Sequence, residues 1–356
     1  MPESQIIVHH LTKTYRVPER EPGLAASVKS LVRRIYRNVE AVREISFSVQ
    51  PGEMVGFIGP NGAGKTTTLK VLSGLLHPTS GEARVAGCVP WERRPAFLRR
   101  ISMVLGNKSQ MLWDIPPTET FRVLAEIYSI PPDEYRATLD ELVELLEMQE
   151  LLGKPVRNFS LGERMKCELV AGLLHRPAVL FLDEPTLGLD VSMQNRLRHF
   201  LAEYNRRSGA TVILTSHYMA DVTALCPRVI LIHQGRLLYD GALYGLAERL
   251  APFKLIRVTL GEAEGAEAGR LALPEGVDVL ESENGHLTLR AARLATPALT
   301  AHLLKLLPVT DLTVEDPPIE AVIDQIYREG DINGHTASRT SAPDLVGSIE
   351  RSAGQG

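Results

Sequence analysis

The stretch at residues 59–66 constrains the fold more than any other part of the sequence, because it reads Gly-Pro-Asn-Gly-Ala-Gly-Lys-Thr. This order fits G-x-x-x-x-G-K-[ST], and it stands between an apolar run at 54–58 and a helical repeat of leucines. Glycines let backbone N–H groups surround phosphate oxygens, and the positive end of the following helix points at the anion. The sequence therefore predicts a phosphate-binding loop between a strand and a helix.

The residue types in this loop have separate chemical roles. Lys65 neutralises the β- and γ-phosphates of a nucleotide, and the hydroxyl of Thr66 is suited to ligate Mg²⁺. The residues predicted to contact the nucleotide here are Gly59, Pro60, Asn61, Gly62, Ala63, Gly64, Lys65, Thr66 and Thr67. The alternative is an ordinary glycine-rich turn that precedes a lysine.

An acidic pair follows a second predicted strand. The run at 178–182 is apolar throughout, as expected of a strand covered on both faces, and it ends in Asp183 and Glu184. Ligands of open α/β sheets bind at this end of parallel strands. We expect Asp183 to hold Mg²⁺ through water and Glu184 to polarise a water molecule for attack on the γ-phosphate. Alone, such a pair is more often a helix cap or a turn, but the phosphate loop favours the catalytic interpretation.

The pattern along the chain predicts two domains. Strands alternate with helices over the first two thirds, which is typical of an α/β domain with a largely parallel sheet. We place this domain at 1–245, with a basic amphipathic insertion at 17–40 and a helical subdomain at 107–176. Residues 250–330 predict a small α+β domain, and residues 331–356 have the composition of a disordered tail.

Composition excludes several classes of function. The formal net charge of -4 gives no argument for a nucleic-acid partner. The three cysteines are scattered and form no metal-ligand spacing. No apolar run reaches the roughly 20 residues that cross a bilayer, so any path through a membrane must belong to another chain.

The order of the motifs resembles the ABC ATPase domain. After the phosphate loop and the helical insertion come Phe159-Ser160-Leu161-Gly162-Glu163-Arg164, Leu182-Asp183-Glu184-Pro185-Thr186, Gly188-Leu189-Asp190 and Ser216-His217. The resemblance extends over about residues 6–241. It implies a P-loop fold with a mostly parallel sheet, an antiparallel β part and a helical subdomain. It also implies an ATPase that uses ATP and Mg²⁺ and that works by closing as a dimer.

The resemblance assigns further site residues. It implies that Tyr15 stacks on adenine, that His217 contacts the γ-phosphate and that Asp190 couples the two sites of the dimer. The family has a glutamine that senses Mg²⁺ shortly after the preceding strand. The distance from that strand favours Asn107 as its counterpart, whereas residue type favours Gln110. A tyrosine at a strand end is the alternative reading of Tyr15.

The hexapeptide at 159–164 occupies the place of the family's signature, usually Leu-Ser-Gly-Gly-Gln-Arg. Ser160 and Glu163 form a capping box, and a capped helix start with Gly162 in its first turn is itself an anion site. In the family this end faces the γ-phosphate bound to the other subunit. Leu161 and Glu163 depart from the usual residues, which puts the rate of hydrolysis or the closure of the dimer in doubt.

Two features indicate the branch and the partners. The stretch at 106–117 resembles exporter ATPases of the viologen-exporter group. The resemblance implies a separate ABC-2-like permease and a place at the cytoplasmic face of the membrane. It also implies pairing as a homodimer or with a second ATPase subunit.

A predicted basic helix at 24–39 is suited either to anionic lipid and the permease or to packing on its own domain. Its apolar positions are Leu24, Val28, Leu31, Val32, Ile35, Tyr36 and Val39, and its charges are Lys29, Arg33, Arg34 and Arg37. The alternatives are a non-transport ABC ATPase and a nucleotide-gated regulatory module with weak hydrolysis.

Overall fold

The computed structural model describes residues 4–18, 36–106, 108–244, 253–261, 276–283 and 285–317, together with 274, 319, 322 and 323. The predicted tail at 331–356 and most of the predicted basic helix, including Lys29, Arg33 and Arg34, lie outside these residues. Within the described part, no helix has the length and apolar character needed to span a bilayer.

The strands follow one another along the described chain in three groups. They are β1 (Ile6–Pro18), β2 (Tyr36–Val49), β3 (Met54–Ile58), β4 (Ser80–Val85), β5 (Ile101–Leu105), β6 (Val179–Asp183), β7 (Thr211–Thr215), β8 (Arg228–His233), β9 (Arg236–Ala242), β10 (Phe253–Leu260), β11 (Val277–Glu283), β12 (His286–Ala292) and β13 (Val309–Glu315). The helices are α1 (Lys65–Leu72), α2 (Pro95–Leu98), α3 (Pro117–Tyr128), α4 (Pro132–Leu145), α5 (Leu161–Leu173), α6 (Val191–Ser208), α7 (Met219–Leu225) and α8 (Thr296–Leu306). Single turns of 3-10 helix lie at Pro90–Glu92, Gln149–Leu151 and Val156–Asn158.

The central sheet has the order β5-β6-β7-β3-β8-β9, and only the β8–β9 pairing is antiparallel. Strands β3, β6 and β7 are buried at every position. Successive side chains of a strand point to opposite sides, and both sides of this sheet are covered. Leu180 and Leu182 of β6 enter the core beneath α5 and α6, whereas Val179 and Phe181 enter a second core beside α1. The expected mostly parallel sheet is confirmed, and it places the carboxyl ends of β3, β6 and β7 at one edge.

An antiparallel sheet of order β2-β1-β4 lies beside the second core. Its long ribbon pairs Tyr15 with Val39 and Pro18 with Tyr36. The prediction that the amphipathic helix extends to Tyr36 and Val39 is therefore wrong. Backbone pairing with β1 supplies the hydrogen bonds of this segment, so helical spacing of its side chains does not decide its structure.

The helical subdomain consists of α3, α4 and α5. Helix α5 lies so close to β5 that a Cβ on Gly172 would stand 2.9 Å from Ser102 Oγ. The buried Lys166 of α5 donates to Leu146 O at 2.5 Å, at the C-terminal end of α4. A cation at that position satisfies carbonyl groups that the helix itself leaves without partners.

A separate antiparallel sheet of order β11-β12-β10-β13 follows the central domain. Together with helix α8 it forms the small α+β unit that the sequence predicted. Helix α8 covers one face of this sheet, where Leu299 and Leu303 pack with Ile256 and Val258. On the opposite face Leu255 joins the core of the large domain. The small sheet therefore has apolar contacts on both sides at β10.

Phe121→Ala should destabilise the helical subdomain, because Phe121 is 0% exposed and its removal leaves a cavity. We expect the free energy of unfolding in urea to fall by about 3–5 kcal/mol. The matched control is Val123→Ala on the same helix, where the side chain is 52% exposed and the change should stay within about 0.5 kcal/mol. Equal losses in the two variants would contradict the packing described here.

Candidate active site

Gly59 and Gly64 of the loop between β3 and α1 are required by close backbone contacts. Gly64 has φ of 107°, and a Cβ there would stand 2.3 Å from Ala41 O. A Cβ on Gly59 would stand 2.3 Å from Ile232 O. The loop is therefore fixed between β2 and β8, and it leads directly into the first turn of α1.

Lys65 lies inside this loop with its ammonium group turned back across it. The Nζ atom donates to Gly59 O at 2.5 Å and to Pro60 O at 3.1 Å. Burial lowers the pKa of Lys65, and the nearby carboxylates of Glu184 and Asp183 act in the opposite direction. The cation thus stands between the loop and the acidic pair, where an anionic group would be neutralised.

Asp183 connects the loop to the strand ends. Its Oδ1 accepts hydrogen bonds from Thr66 Oγ1 at 3.1 Å and from Thr215 Oγ1 at 2.7 Å. The hydroxyl of Thr66 and the carboxylate of Asp183 form an oxygen donor set of the kind that Mg²⁺ prefers. Among the described residues no three His, Cys, Asp or Glu side chains group as a metal cluster.

Glu184 and His217 contact each other at the ends of β6 and β7. His217 Nε2 lies 2.8 Å from Glu184 Oε1. Glu184 has φ of 56°, and a Cβ on Gly106 would stand 2.1 Å from its carbonyl oxygen. Both side chains are partly exposed, so a small molecule can reach them.

A cleft of about 110 Å³ lies at these strand ends. Its walls are Thr66, Lys70, Leu105, Lys108, Asp183, Glu184 and Leu187. Lys70 and Lys108 were not predicted, although Lys108 directly follows the candidate Asn107. The two lysines add positive charge around the acidic pair, as a site for a polyphosphate requires.

A second group of predicted residues gathers away from the cleft walls. Ser160 accepts from Glu163 N at 3.3 Å, and Glu163 Oε2 accepts from Ser160 N at 2.8 Å. Gly162 faces the side chain of Met193, and Asp190 accepts from Met193 N at 2.9 Å. The start of α5 and the start of α6 therefore stand side by side, with their first N–H groups at one surface.

Apolar side chains surround this second group. A Cβ on Gly188 would stand 3.1 Å from Leu161 Cδ2, so Leu161 occupies the space beside that glycine. Leu161, Leu187 and Val191 are exposed large hydrophobic residues. A patch of this kind beside capped helix starts is typical of a protein contact.

Tyr15 lies within β1, three residues before the strand ends, which differs from the strand-end alternative. Lys13 Nζ lies 5.3 Å from the centroid of its ring. Its partner Val39 is two residues before Ala41, which contacts the glycine loop. The register therefore directs this part of the ribbon toward the loop, but Tyr15 does not line the cleft.

The two candidates for the Mg²⁺-sensing residue have different outcomes. Asn107 lies outside the described residues. Gln110 donates its backbone N–H to Glu168 Oε1 at 3.0 Å, and its side chain also bonds that carboxylate. Ser109 Oγ donates to the same oxygen at 2.5 Å. Burial raises the pKa of Glu168, and these hydrogen bonds oppose that rise.

Sequence reasoning missed the groups that hold the two strand ends together. Thr215 is buried, donates to Asp183 and accepts from Glu184 N at 3.1 Å. Its position as the last residue of an apolar strand, directly before Ser216 and His217, was the available signal. Asp221 lies beyond that strand and bonds Ser216, and no local pattern marks it.

Two family models match the chain. One is described as ABC transporter and matches residues 42–187. The other is described as EvrA-like ABC transporter, C-terminal domain, and matches residues 252–315.

Several characterised proteins are similar to the chain over most of their length. The linearmycin resistance ATP-binding protein LnrL of Bacillus subtilis (strain 168) is 31% identical over 298 residues, which cover 81% of this chain and 94% of that protein. The ABC transporter ATP-binding protein NatA of the same strain is 34% identical over 210 residues, with 59% and 85% covered. The bacitracin transport ATP-binding protein BcrA of Bacillus licheniformis is 32% identical over 207 residues, with 58% and 66% covered.

Solved structures share the fold. One ATP-binding subunit of an ABC transporter matches with a TM-score of 0.57 and 26% identity, over 69% of this chain and 93% of that chain. The dimeric ATP-binding cassette MJ0796, bound to ADP and Pi in a post-hydrolysis state, matches with a TM-score of 0.55 and 20% identity, over 67% and 98%.

Thr215→Val should weaken the metal site, because it removes the hydroxyl that orients Asp183 without changing the volume of the side chain. We expect the Mg²⁺ concentration that half-saturates binding of a nucleotide to rise about tenfold, measured by titration calorimetry. Thr211→Val is the matched control, since Thr211 is equally buried at the opposite end of β7 and bonds Gln50 O. An unchanged Mg²⁺ requirement in Thr215→Val would exclude the orienting role.

Proposed function

The chain belongs to the family of ABC transporter ATP-binding proteins, and on this premise we propose that residues 59–67, Asp183, Glu184 and His217 form an ATP-hydrolysing site that drives export. The observation that carries the proposal is the contact of His217 Nε2 with Glu184 Oε1 at 2.8 Å. Next to this contact, the hydroxyls of Thr66 and Thr215 donate to Asp183. The proposed base Glu184 and the proposed metal ligands Thr66 and Asp183 therefore lie at the same strand ends.

Binding of ATP rests on the loop and its lysine. The N-terminus of α1 and the backbone of residues 59–64 receive the phosphates, and Lys65 leaves its carbonyl partners to neutralise them. Thr66 and Asp183 would hold Mg²⁺, which withdraws charge from the phosphate oxygens when it is bound. Tyr15 is proposed to stack on the adenine, and Asn107 is proposed to contact the metal. The placement of Tyr15 is supported by its pairing with Val39, which lies two residues before Ala41, because Ala41 contacts the glycine loop.

Hydrolysis rests on Glu184 as the general base. Its carboxylate accepts a proton from the attacking water, and the hydrogen bond from His217 fixes the direction of that carboxylate. Lys65, which lies within the electrostatic reach of Glu184 and Asp183, and Lys108, which lines the cleft, would offset the negative charge of the phosphates. The reaction converts ATP and water to ADP and phosphate, and this chain supplies the base and the binding groups.

A second subunit completes the site in our proposal. Ser160, Gly162 and Glu163 present a capped helix start, and the positive end of a helix favours an anion. Together with Asp190 they lie outside the cleft walls of their own chain, so they are available to the ATP of another copy or of a second ATPase subunit. Exposed Leu161, Leu187 and Val191 supply apolar contact area for such a dimer.

The proposal of export through a separate permease is supported by the names of the relatives. These are ATP-binding proteins named for linearmycin resistance, bacitracin transport and Nod factor export. We propose that this chain likewise docks on an ABC-2-like permease at the cytoplasmic face of the membrane. In this arrangement residues 1–245 are the motor and residues 250–330 are an accessory domain that strengthens or regulates the dimer.

Glu184→Gln tests the base. The amide cannot accept the proton of the attacking water, so we expect the ATPase rate to fall by at least about a hundredfold while ATP affinity changes little. Trapped ATP should then stabilise the closed dimer, which size-exclusion chromatography with Mg²⁺ and ATP detects.

Glu82→Gln is the control for this substitution, because Glu82 is exposed on β4 and is not one of the cleft walls. It should retain the rate of the unmodified protein. A Glu184→Gln variant that hydrolyses ATP at the normal rate would exclude Glu184 as the base.

A further inference from the structure

A buried carboxylate joins the two loops that carry Glu184 and His217. Asp221 lies in the first turn of α7 and is 0% exposed. Its Oδ2 accepts hydrogen bonds from Thr186 Oγ1 at 2.5 Å and from Ser216 Oγ at 2.6 Å. Thr186 follows Glu184 by two residues, and Ser216 directly precedes His217. One oxygen atom is therefore bonded to both loops.

The bonds to Asp221 continue a connection that begins at the strand ends. Glu184 N donates to Thr215 O at 3.0 Å, so β6 and β7 stay side by side as far as Glu184. Beyond that point the two loops turn toward different helices, α6 and α7. The hydroxyls of Thr186 and Ser216 meet at Asp221 after this divergence, which limits how far the loops can separate.

A third bond extends the connection to α6. Arg198 Nε donates to Asp221 Oδ1 at 2.6 Å, and the ion pair is almost fully buried. Arg198 also donates to Gln194 Oε1, and Gln194 Nε2 donates to Leu189 O at 3.1 Å. Buried charges of this kind are kept because each partner is satisfied, and removal of one partner is strongly destabilising.

We propose that Asp221 is a positioning residue that fixes the relative placement of Glu184 and His217 for hydrolysis. The inference rests on the proposed function of those two residues. Asp221 is buried behind the loops and does not line the cleft. It acts through Thr186 and Ser216, and it sets the 2.8 Å contact between His217 Nε2 and Glu184 Oε1. A displacement of about 1 Å in such a pair can reduce turnover a hundredfold.

Thr186→Val and Ser216→Ala each remove one of the two bonds to Asp221 Oδ2 and leave the pair of Asp221 and Arg198 intact. Ser216→Ala also removes the hydrogen bond that Ser216 Oγ accepts from Tyr218 N, so Thr186→Val is the cleaner of the two variants. We expect each variant to lower kcat by about tenfold or more, while the KM for Mg·ATP stays within about twofold, because the loop and Lys65 are unchanged. The conservative variants Thr186→Ser and Ser216→Thr keep a hydroxyl and should recover most of the lost kcat.

Thr138→Val is the matched control. Thr138 is also a buried hydroxyl, and it accepts from Arg176 Nε at 2.9 Å within the helical subdomain. Its loss should lower the melting temperature to a similar extent without the change in kcat. The double variant of Thr186→Val and Ser216→Ala should lose less than the product of the two single losses, because both bonds act through one oxygen.

Asp221→Asn completes the series, since it keeps the volume and removes the charge. If it folds, as judged by its melting curve, its kcat should fall at least as far as in the single-hydroxyl variants; if it does not fold, those variants decide the question. The inference is wrong if the unmodified protein hydrolyses ATP and the kcat values of Thr186→Val and Ser216→Ala both lie within twofold of the kcat of Thr138→Val. An unmodified protein with no ATPase activity would instead refute the proposed function.

Discussion

The geometry of the whole site depends on one carboxylate oxygen, Asp183 Oδ1, which accepts hydrogen bonds from Thr66 and Thr215. Thr66 lies in the first turn of α1, Asp183 ends β6 and Thr215 ends β7. Parallel pairing places these ends at the same edge of the sheet, and the two hydroxyls fix the loop helix against it.

Local sequence patterns were sufficient for the parts of the fold that bury apolar side chains. The run at 54–58 predicted β3 with the bounds that the structure has, because a strand covered on both faces carries apolar side chains on both of them. The loop from Gly59 to Thr66 was predictable for a similar reason. Gly64 and Gly59 approach the backbone oxygens of Ala41 and Ile232 so closely that no other residue type would be tolerated there.

Contacts between distant segments were not predictable in this way. Tyr36 and Val39 keep helical spacing, but the pairing of β2 with β1 decides their conformation. Gln110 has the residue type of a metal-sensing glutamine, yet Glu168 of α5 binds it, and that carboxylate is 58 residues away along the chain. The roles of Asn107 and Tyr15 stay predictions. They depend on a nucleotide and on a loop position that sequence spacing alone does not determine.

Helix α5 carries the capping box at its start, Glu168 near its middle and Gly172 against β5 near its end. A 13-residue helix is stiff and about 20 Å long. Glu168 accepts hydrogen bonds from residues 109–111, so this segment is held against helix α5. A rotation of this helix about its contact with β5 at Gly172 would therefore displace residues 109–111 and the capping box at Ser160 together.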